Sequence, residues 1–384
     1  MTRVLVVAMA DSVHTGRWLS QFDGEAIEFV LFPSTPHRRI HPLIKQRLGQ
    51  SSETQIKISR WMKFAALPLG IADLIFGNFF RCKLLRREID KFKPDVIHIM
   101  ETQHAGYLTD KALRSTQIKP TVVLSIWGSD LFWFQRFPNH VKKIRSILKK
   151  VDLLIMECRR DQALATSLGF NGKFFTNMPA TGGMKTEILA NEARKISAKE
   201  RKWIAVKGYS GFVGQGKDAV RVIMAVESQI KDFSVMVYSA GFGTWWFARK
   251  LKKIMGDRLV IARKHQLSNS EIEQMFLKSR TALGLALSDG LPATVKEAMC
   301  MGAFPIQTST SCAGEWFIDG QGGTLVEPNN LEAVSAKLLE ALRDDQLVES
   351  AMTLNLQQAT KLFSESVLKE KAKNVYSSLL KAKD

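Results

Sequence analysis

The stretch RTALGLALSDGLPATVKEAM (280–299) combines a short apolar run, a polar turn and the start of a helix. The apolar run 281–287 ends at the turn 288–290, which is typical of a buried strand. Apolar residues at helical spacing follow and predict a helix that begins near Pro292 or Ala293. Strand, turn and helix in this order form one unit of a parallel α/β sheet. Open sheets of this kind bind ligands at the carboxyl ends of their strands.

Two carboxylates flank this turn, Asp289 on its strand side and Glu297 within the predicted helix. The first backbone N–H groups of the helix form an anion site that suits phosphate. Carboxylate oxygens accept hydrogen bonds from sugar hydroxyls. The combination therefore fits a phosphorylated sugar. The alternative is that Asp289 is a solvated turn residue and that Glu297 lies on an ordinary helix surface.

The alternation of strand and helix runs through all 384 residues, without an internal repeat or a low-complexity segment. Such alternation predicts parallel sheets covered on both faces. We expect an α/β protein of two doubly wound, Rossmann-like domains that face one another across a cleft. The predicted strands are 3–9, 27–32, 95–100, 121–127, 152–157 and 173–177 in the first half, and 201–208, 233–241, 257–263, 281–287, 303–309 and 323–328 in the second. The predicted domains are 1–180 and 200–361, with a helix at about 362–384 that packs back on the first.

Composition and charge narrow the class of protein. A hydrophobic content of 45% indicates a globular chain, and its four cysteines, without metal or redox spacing, favour a cytoplasmic protein over a disulfide scaffold. Residues 36–93 carry thirteen Lys or Arg against four acidic residues, a net +9 that is half of the total +18. This basic region also contains WMKFAALPLGIADLIFGNFF (61–80), which is too interrupted to span a membrane.

A basic segment rich in aromatic residues suits the interface of an anionic membrane. The candidates for shallow insertion are Trp61, Phe64, Phe76, Phe79 and Phe80. The alternative is that the apolar residues are core and the cations an ordinary solvated face. Nucleic acid is the other partner that a basic patch suggests, but the chain lacks a recognised nucleic-acid motif. We therefore expect a membrane partner and no nucleic acid.

The stretch 288–330, SDGLPATVKEAMCMGAFPIQTSTSCAGEWFIDGQGGTLVEPNN, resembles the donor-site signature of the retaining family 4, or group 1, glycosyltransferases. The resemblance extends to DSVHTGRWL (11–19), KPDVIHI (93–99), WGSDL (127–131) and KGYSGFVGQGK (207–217). It therefore covers nearly the whole chain. It implies the two-domain glycosyltransferase B fold, with a nucleotide-sugar donor held by the C-terminal domain and an acceptor held by the N-terminal domain.

On the donor side, the resemblance implies that Glu297 binds the ribose hydroxyls. It assigns a hydroxyl of the transferred sugar to Asp289, although most relatives have the longer Glu there. The backbone amides of Gly290, Leu291 and Ala293 are expected to meet the diphosphate, whereas Pro292 has no N–H to donate.

In relatives a basic pair neutralises the leaving diphosphate, and here the candidates are Lys207 and Lys217. Lys217 is preferred, because a cation at the start of the helix DAVRVIMAVE can reach a phosphate above the glycine-rich loop. The alternative for Lys217 is a plain surface lysine.

On the acceptor side, His14, Thr15 and Gly16 follow the first strand and are expected to line the cleft. Many relatives have a histidine beside the reacting sugar after the fourth strand, where this chain has Trp127. The polar candidates for positioning the acceptor hydroxyl are then Asp130 and His104. His98, inside a strand, is a weaker candidate than either.

The resemblance implies a hexosyltransferase-type reaction in which the acceptor hydroxyl attacks the face that the diphosphate leaves. Such a reaction needs no metal and no cofactor, since the nucleotide-sugar is a substrate. We expect a lipid-linked or lipopolysaccharide or other cell-surface polysaccharide acceptor, and a protein peripheral on the inner face of the cytoplasmic membrane. A sugar-nucleotide epimerase of the same fold and, less so, a nucleic-acid-binding protein are the alternatives. The sequence leaves open the sugar, the nucleotide, the acceptor, the linkage and the oligomeric state.

Overall fold

The computed structural model divides the chain into two compact units. The N-terminal unit comprises residues 1–182 and the chain from Leu368 onward, and the C-terminal unit comprises residues 183–367. The structure describes the residues up to 380 other than those numbered 37–38, 51–52, 60, 62–67, 69, 74 and 265, and it excludes the side chains of 378 and 380.

The N-terminal unit is built on a parallel sheet of seven strands in the order β3-β2-β1-β4-β5-β6-β7. The strands are β1 (Thr2–Ala8), β2 (Ile27–Pro33), β3 (Gln55–Ile58), β4 (Val96–Met100), β5 (Thr121–Ser125), β6 (Leu153–Ile155) and β7 (Lys173–Phe175). The helices are α1 (Val13–Ser20), α2 (Pro42–Lys45), α3 (Phe79–Phe92), α4 (Tyr107–Leu113), α5 (Ser129–Phe132), α6 (Pro138–Leu148) and α7 (Arg160–Ser167). The central strands are buried throughout, because helices cover both faces of a doubly wound sheet.

The C-terminal unit has a parallel sheet of six strands in the order β10-β9-β8-β11-β12-β13. The strands are β8 (Trp203–Lys207), β9 (Ser234–Ala240), β10 (Leu259–Arg263), β11 (Ser279–Gly284), β12 (Phe304–Thr308) and β13 (Thr324–Val326). The helices are α8 (Thr186–Arg194), α9 (Gly216–Val226), α10 (Phe242–Met255), α11 (Asn269–Lys278), α12 (Ala293–Met301), α13 (Leu331–Arg343) and α14 (Asp345–Phe363). The order reverses between β8 and β11, as it does between β1 and β4 in the other sheet.

A further helix, α15 (Glu365–Leu380), joins the core of the N-terminal unit. Its buried side chains recur at helical spacing and are Leu368, Ala372, Val375, Tyr376 and Leu379. The Tyr376 hydroxyl accepts a hydrogen bond from Trp18 Nε1 at 3.0 Å and lies 2.7 Å from His98 Nδ1. The sequence predicts one helix over 362–384, whereas the structure ends α14 at Phe363 and begins α15 at Glu365.

The predicted pair of doubly wound α/β domains is confirmed, and each of the twelve predicted strands overlaps an observed one. The strand β3 was not predicted, because its four residues lie in the basic segment and only Ile56 is fully buried. Among the described residues, no helix combines the length and the hydropathy that spanning a bilayer requires.

Candidate active site

The most informative contact of the C-terminal unit lies where its strand order reverses. Lys207 ends β8, and Asp289 lies in the loop after the neighbouring strand β11. Lys207 Nζ donates to Asp289 Oδ2 at 3.1 Å, although the lysine side chain is only 7% exposed. A reversal point of this kind is the usual ligand site of an open α/β sheet, since helices diverge from it to opposite faces. The structure therefore brings two predicted donor-site residues together.

The glycine-rich loop 208–216 is held tightly beside this pair. Gln215 N–H donates to the Leu285 carbonyl at 2.8 Å, and Leu287 N–H donates to the Phe212 carbonyl at 2.8 Å. A Cβ on Gly216 would lie 2.7 Å from the Gly208 carbonyl carbon, so a side chain would push the two ends of the loop apart. The loops after β8 and β11 therefore form one hydrogen-bonded layer at the carboxyl edge of the sheet.

The turn before α12 is as compact as its sequence suggests. The helix begins at Ala293 with Pro292 as its N-cap, in agreement with the predicted start. Gly290 N–H donates to Asp289 Oδ1 at 3.0 Å, and the Gly290 carbonyl accepts from Cys312 N–H at 3.0 Å. The Gly290 amide, expected to meet a diphosphate, is thus engaged by its neighbour, and the Leu291 side chain is buried in the core.

Glu297 lies on the second turn of α12, and its side chain is partly exposed. Near it, Tyr238 Oη of β9 is 2.6 Å from Thr294 Oγ1 at the start of the same helix. Burial raises the pKa of Tyr238, and the negative charge of Glu297 raises it further. Sequence analysis missed Tyr238 and Thr294, because a tyrosine inside a strand carries no sequence signal of a contact with a distant helix.

Lys217 differs from Lys207 in its surroundings. It is exposed on the first turn of α9, and no described carboxylate forms an ion pair with it. Its side chain lies beside the start of α10, since a Cβ on Gly243 would be 3.0 Å from Lys217 Cε. The structure thus leaves Lys217 as an uncompensated cation, whereas the charge of Lys207 is balanced by Asp289.

In the N-terminal unit, His14 and Trp127 come together from two different loops. His14 follows β1 and starts α1, where its N–H donates to the N-cap Ser12 Oγ at 3.2 Å. Its Nδ1 lies 3.1 Å from the Ala180 carbonyl oxygen. The His14 and Trp127 ring centroids are 4.7 Å apart with the planes tilted by 46°. Trp127 Nε1 is buried without a hydrogen-bond partner among the described residues.

Thr15 and Gly16 differ from the expectation that they line a cleft. Thr15 is fully buried and its hydroxyl donates to the Met9 carbonyl at 2.9 Å. A Cβ on Gly16 would lie 3.1 Å from His41 Nδ1 and from Leu43 Cβ, so this position packs against α2. Both residues lie on the buried side of α1. Consecutive residues of a helix point in different directions, and only every third or fourth residue lies on the same side.

Asp130 is buried, and backbone groups occupy both of its oxygens. Oδ1 accepts from Thr102 N–H at 2.6 Å, and Oδ2 accepts from Trp127 N–H at 2.7 Å. Burial raises the pKa of Asp130, and these hydrogen bonds oppose the rise. The carboxylate therefore ties the loop after β4 to the loop after β5. This geometry suits a residue that positions the loops more than one that touches an acceptor hydroxyl.

Glu101 was not among the predicted site residues, although it directly follows β4. Its φ of 80° is a conformation that side chains other than glycine rarely adopt. Its Oε1 accepts from Ala105 N–H at 2.9 Å and also from His104 N–H, which holds the π-helical turn Thr102–Gly106. Burial raises the pKa of Glu101 to about 8, with a smaller contribution from the charge of Asp130. The sequence carries no signal for this role, since it depends on a backbone angle.

His104 is exposed on that π-helical turn, and partial desolvation together with the charge of Arg81 lowers its pKa. The contact of His104 with an acceptor hydroxyl stays a prediction. His98 is fully buried between Tyr376 and Ser125, with its Nε2 2.7 Å from Ser125 Oγ. Burial lowers the pKa of His98 to about 3. His98 is thus a neutral structural histidine, in line with its lower rank in the sequence analysis.

The basic region has an apolar surface next to its cations. Ile71, Ile75, Phe76 and Phe79 are all more than half exposed. The exposed cations of α3 are Lys83, Arg86, Arg87 and Lys91. We call these eight residues the α3 surface. Phe80, another predicted insertion residue, is partly buried.

Two residues of the basic region, Trp61 and Arg81, are buried and lie outside the α3 surface. Trp61 does not belong to the α3 surface, because it is buried with its ring 5.7 Å from that of Phe32. The expectation that it inserts into a membrane is therefore wrong for this structure. Phe64, another predicted insertion residue, lies outside the described residues. Arg81, counted among the cations, is buried and pairs with Asp73 at 2.6 Å.

Two family models match the chain. The model described as glycosyl transferase 4-like matches residues 3–158, and the model described as glycosyl transferases group 1 matches residues 249–358. No curated protein sequence matches the chain significantly.

Solved structures share the fold over nearly the whole chain. HepE from Anabaena, solved with UDP and glucose, is 12% identical with a TM-score of 0.70, over 98% of this chain and all of that one. Sucrose-phosphate synthase from Thermosynechococcus elongatus is 14% identical with a TM-score of 0.70, over the full length of both chains. A glycosyltransferase from Rickettsia africae is 16% identical with a TM-score of 0.66, over 99% of each chain. At these identities the likeness establishes the fold.

Proposed function

Because the chain belongs to the group 1 glycosyltransferases, we propose that it moves a sugar from a nucleotide-sugar donor to a lipid-linked or cell-surface glycan acceptor at a membrane. The donor is proposed to bind the C-terminal unit and the acceptor the N-terminal unit. The observation that carries this proposal is the pair formed by Lys207 and Asp289 at the reversal point of the C-terminal sheet.

This pair supplies the two kinds of group that a nucleotide-sugar needs. The Lys207 ammonium suits a phosphate oxygen, and the Asp289 carboxylate suits a sugar hydroxyl. Glu297, partly exposed on α12, is proposed to accept hydrogen bonds from the ribose hydroxyls. The relatives solved with UDP and glucose support a donor of this class.

For the transfer itself we propose retention of configuration. The acceptor oxygen forms a bond to the anomeric carbon while the bond from that carbon to the diphosphate oxygen breaks, and the departing diphosphate takes the acceptor proton. Catalysis then depends on stabilising the charge that develops on the diphosphate. Lys217 is proposed for this task, because its exposed and uncompensated charge is able to follow a leaving group.

On the acceptor side, we propose that His104 and the pair His14 and Trp127 contact the acceptor. His104 and His14 can each exchange a hydrogen bond with a hydroxyl, and Trp127 presents an aromatic ring beside His14. Asp130 and Glu101 are proposed to hold the loops that carry these side chains. Their contribution is then indirect.

The acceptor is proposed to be membrane-bound because of the α3 surface. Four exposed apolar side chains lie in the segment that leads into α3 and in its first residue, and four exposed cations lie on α3, where Arg86 is 3.7 Å from Asp90. This combination fits the interface of an anionic bilayer. Each cation near such a surface is worth about 1 kcal/mol of attraction, so several acting together hold a protein without a membrane span. We place the reaction at the inner face of the cytoplasmic membrane.

The decisive experiment screens nucleotide-sugars for thermal stabilisation of the purified protein, since a bound donor raises the melting temperature according to its affinity. The stabilising donor is then incubated with candidate glycolipid acceptors, and NMR identifies the anomeric configuration of the product. Stabilisation by a nucleotide-sugar and a product with the donor's configuration are expected. Conversion of the donor without an acceptor would favour an epimerase, and an inverted product would contradict the proposed mechanism.

A further inference from the structure

A second basic and aromatic segment lies in the C-terminal unit. Residues 242–264 contain seven Lys or Arg against one acidic residue, Asp257. Their net charge of +6 and the +9 of residues 36–93 together make up most of the total of +18. Gly243, at the start of this segment, lies beside Lys217, but none of the seven cations has a role in the proposed donor site. The second concentration of charge therefore needs its own explanation.

Helix α10 carries most of this segment and has two different faces. One face packs into the core of the unit through Thr244, Ala248, Leu251 and Met255. The other face contains Phe242, Trp246, Arg249 and Lys253, which recur every three or four residues and so form one stripe. Phe242 is 75% exposed and Trp246 is 60% exposed. Two large aromatic side chains thus stand in solvent at one end of a cationic stripe.

Most of the cations on α10 are not neutralised by acidic neighbours. No described carboxylate forms an ion pair with Arg249, Lys250 or Lys253, whereas Lys252 lies 3.8 Å from Asp257. The Arg249 guanidinium instead lies over the rings of Trp245 at 5.2 Å and Trp246 at 5.6 Å. Cation and ring together make a surface that is positively charged and apolar at once.

From these features we infer that α10 is a second membrane-docking surface, on the unit that holds the donor. We call it the α10 surface and define it by Phe242, Trp246, Arg249, Lys250, Lys253 and Ile254. Its proposed occupant is the headgroup region of an anionic bilayer. Aromatic rings suit that depth because they have apolar faces and tolerate water at their edges, while Lys and Arg extend toward lipid phosphates.

The exposed isoleucine of the α10 surface favours an anionic bilayer over a nucleic acid as the occupant. Ile254 is 59% exposed on the flank of the stripe, and a branched aliphatic side chain stacks poorly on a nucleobase. Burial of its apolar area in lipid is favourable. Exposed isoleucines, Ile71 and Ile75, are also a feature of the α3 surface. The two surfaces therefore share one chemistry.

The inference is tested on the full chain by co-sedimentation with vesicles of phosphatidylcholine, with and without phosphatidylglycerol. The cation variant replaces Arg249, Lys250 and Lys253 by Gln. The matched control replaces the exposed lysines Lys199, Lys231 and Lys278 of the same unit by Gln and so removes the same charge. We expect the partition coefficient of the cation variant on anionic vesicles to fall at least tenfold, since each near-surface cation is worth about fivefold. The control is expected to change less than about twofold, because distant charges are screened.

The aromatic variant, Phe242→Ala with Trp246→Ala, separates insertion from charge. We expect its partition coefficient on vesicles at high salt to be severalfold lower than that of the native chain. Native-like binding by both α10 variants would overturn the inference. If the α10 variants bind an RNA oligonucleotide more weakly but keep their vesicle binding, the surface is a nucleic-acid site and the inference is wrong.

A variant of the α3 surface, Lys83→Gln with Arg86→Gln and Arg87→Gln, separates this inference from the proposed function. Loss of vesicle binding in this variant alone leaves the membrane-bound acceptor intact and refutes the α10 surface. Failure of the native chain to bind anionic vesicles refutes both docking surfaces. Donor-dependent thermal stabilisation then still decides whether the protein uses a nucleotide-sugar.

Discussion

The two units reverse their strand order in the same way but place opposite chemistry at the reversal point. In the C-terminal unit, two lysines and a glycine-rich loop surround the carboxyl ends of β8 and β11, and Lys207 is paired with Asp289. In the N-terminal unit, two buried carboxylates, Glu101 and Asp130, follow β4 and β5 and bind backbone N–H groups. One topology thus supports a site in which lysine and carboxylate side chains meet and a site in which buried carboxyl groups bind backbone N–H groups. Under the proposed function, the first would meet a diphosphate and the second a neutral hydroxyl.

The largest expected effect tests the donor half of this comparison. Glu297→Ala removes two proposed hydrogen bonds from a charged group to ribose, each worth about 1.5–3 kcal/mol, so kcat/KM for the donor is expected to fall at least about 100-fold. Steady-state kinetics with saturating acceptor measure the effect. The control is Glu332→Ala, which removes an exposed carboxylate from the first turn of α13. Kinetics unchanged by Glu297→Ala would remove this residue from the donor site.

Lys217→Ala tests whether the uncompensated lysine acts on the leaving group. A cation that stabilises the transition state more than the bound donor affects kcat more than KM. We expect kcat to fall by about 10- to 100-fold, which is less than the loss of an ideally placed oxyanion donor. Lys231→Ala, a change at an exposed lysine after α9, is the control. A rise in KM with kcat unchanged would make Lys217 a binding residue only.

Tyr376→Phe tests whether the hydroxyl of Tyr376 on α15 stabilises the core of the N-terminal unit. The variant leaves Trp18 Nε1 and His98 Nδ1 without their partner, and an unsatisfied buried polar group costs about 1–3 kcal/mol. Denaturant unfolding is expected to show that loss, while donor-dependent stabilisation persists. Tyr107→Phe, which loses a partly buried contact with His140, serves as the matched control. Equal stability of the two variants would contradict a stabilising role for the Tyr376 hydroxyl.

The last expected effect is a pH dependence of stability at the buried carboxyl group of Glu101. Its pKa of about 8 lies above the ordinary value of 4.5, so the folded state binds the proton more tightly than the unfolded state. Stability from this group is therefore complete at low pH and is lost as the pH rises toward 8.

The glutamine of the Glu101→Gln variant does not titrate, so the variant does not lose stability in this way as the pH rises. The melting temperature of the variant minus that of the native chain is therefore expected to increase between pH 5 and pH 8.5. The change in unfolding free energy is at most about 1.4 kcal/mol per pH unit. A pH-independent difference between the two proteins would show that Glu101 is already ionised at pH 5.

The sequence predicted what depends on periodicity and composition. Buried strands such as β4 and β5 are continuous apolar runs, and the turn at Asp289 is bounded by glycine and proline. Both can therefore be predicted from the local sequence. The sequence did not predict the inward direction of Thr15, the burial of Trp61 or the positive φ of Glu101. Thr15 is held by its hydrogen bond to the Met9 carbonyl in the turn after β1, and Trp61 is buried against Phe32. These contacts and the backbone angle of Glu101 arise only in the folded chain and leave no periodic pattern in the sequence.

The docking of α15 has a consequence for the order in which the protein is made. The core of the N-terminal unit needs Tyr376, which lies 278 residues after its partner His98. A ribosome adds about 5–20 residues per second. The N-terminal sheet therefore waits for more than ten seconds after its own strands emerge, and the C-terminal unit is synthesised during that time. A nascent chain halted before residue 368 would expose the apolar groove that α15 fills, and it would be a substrate for chaperones and proteases.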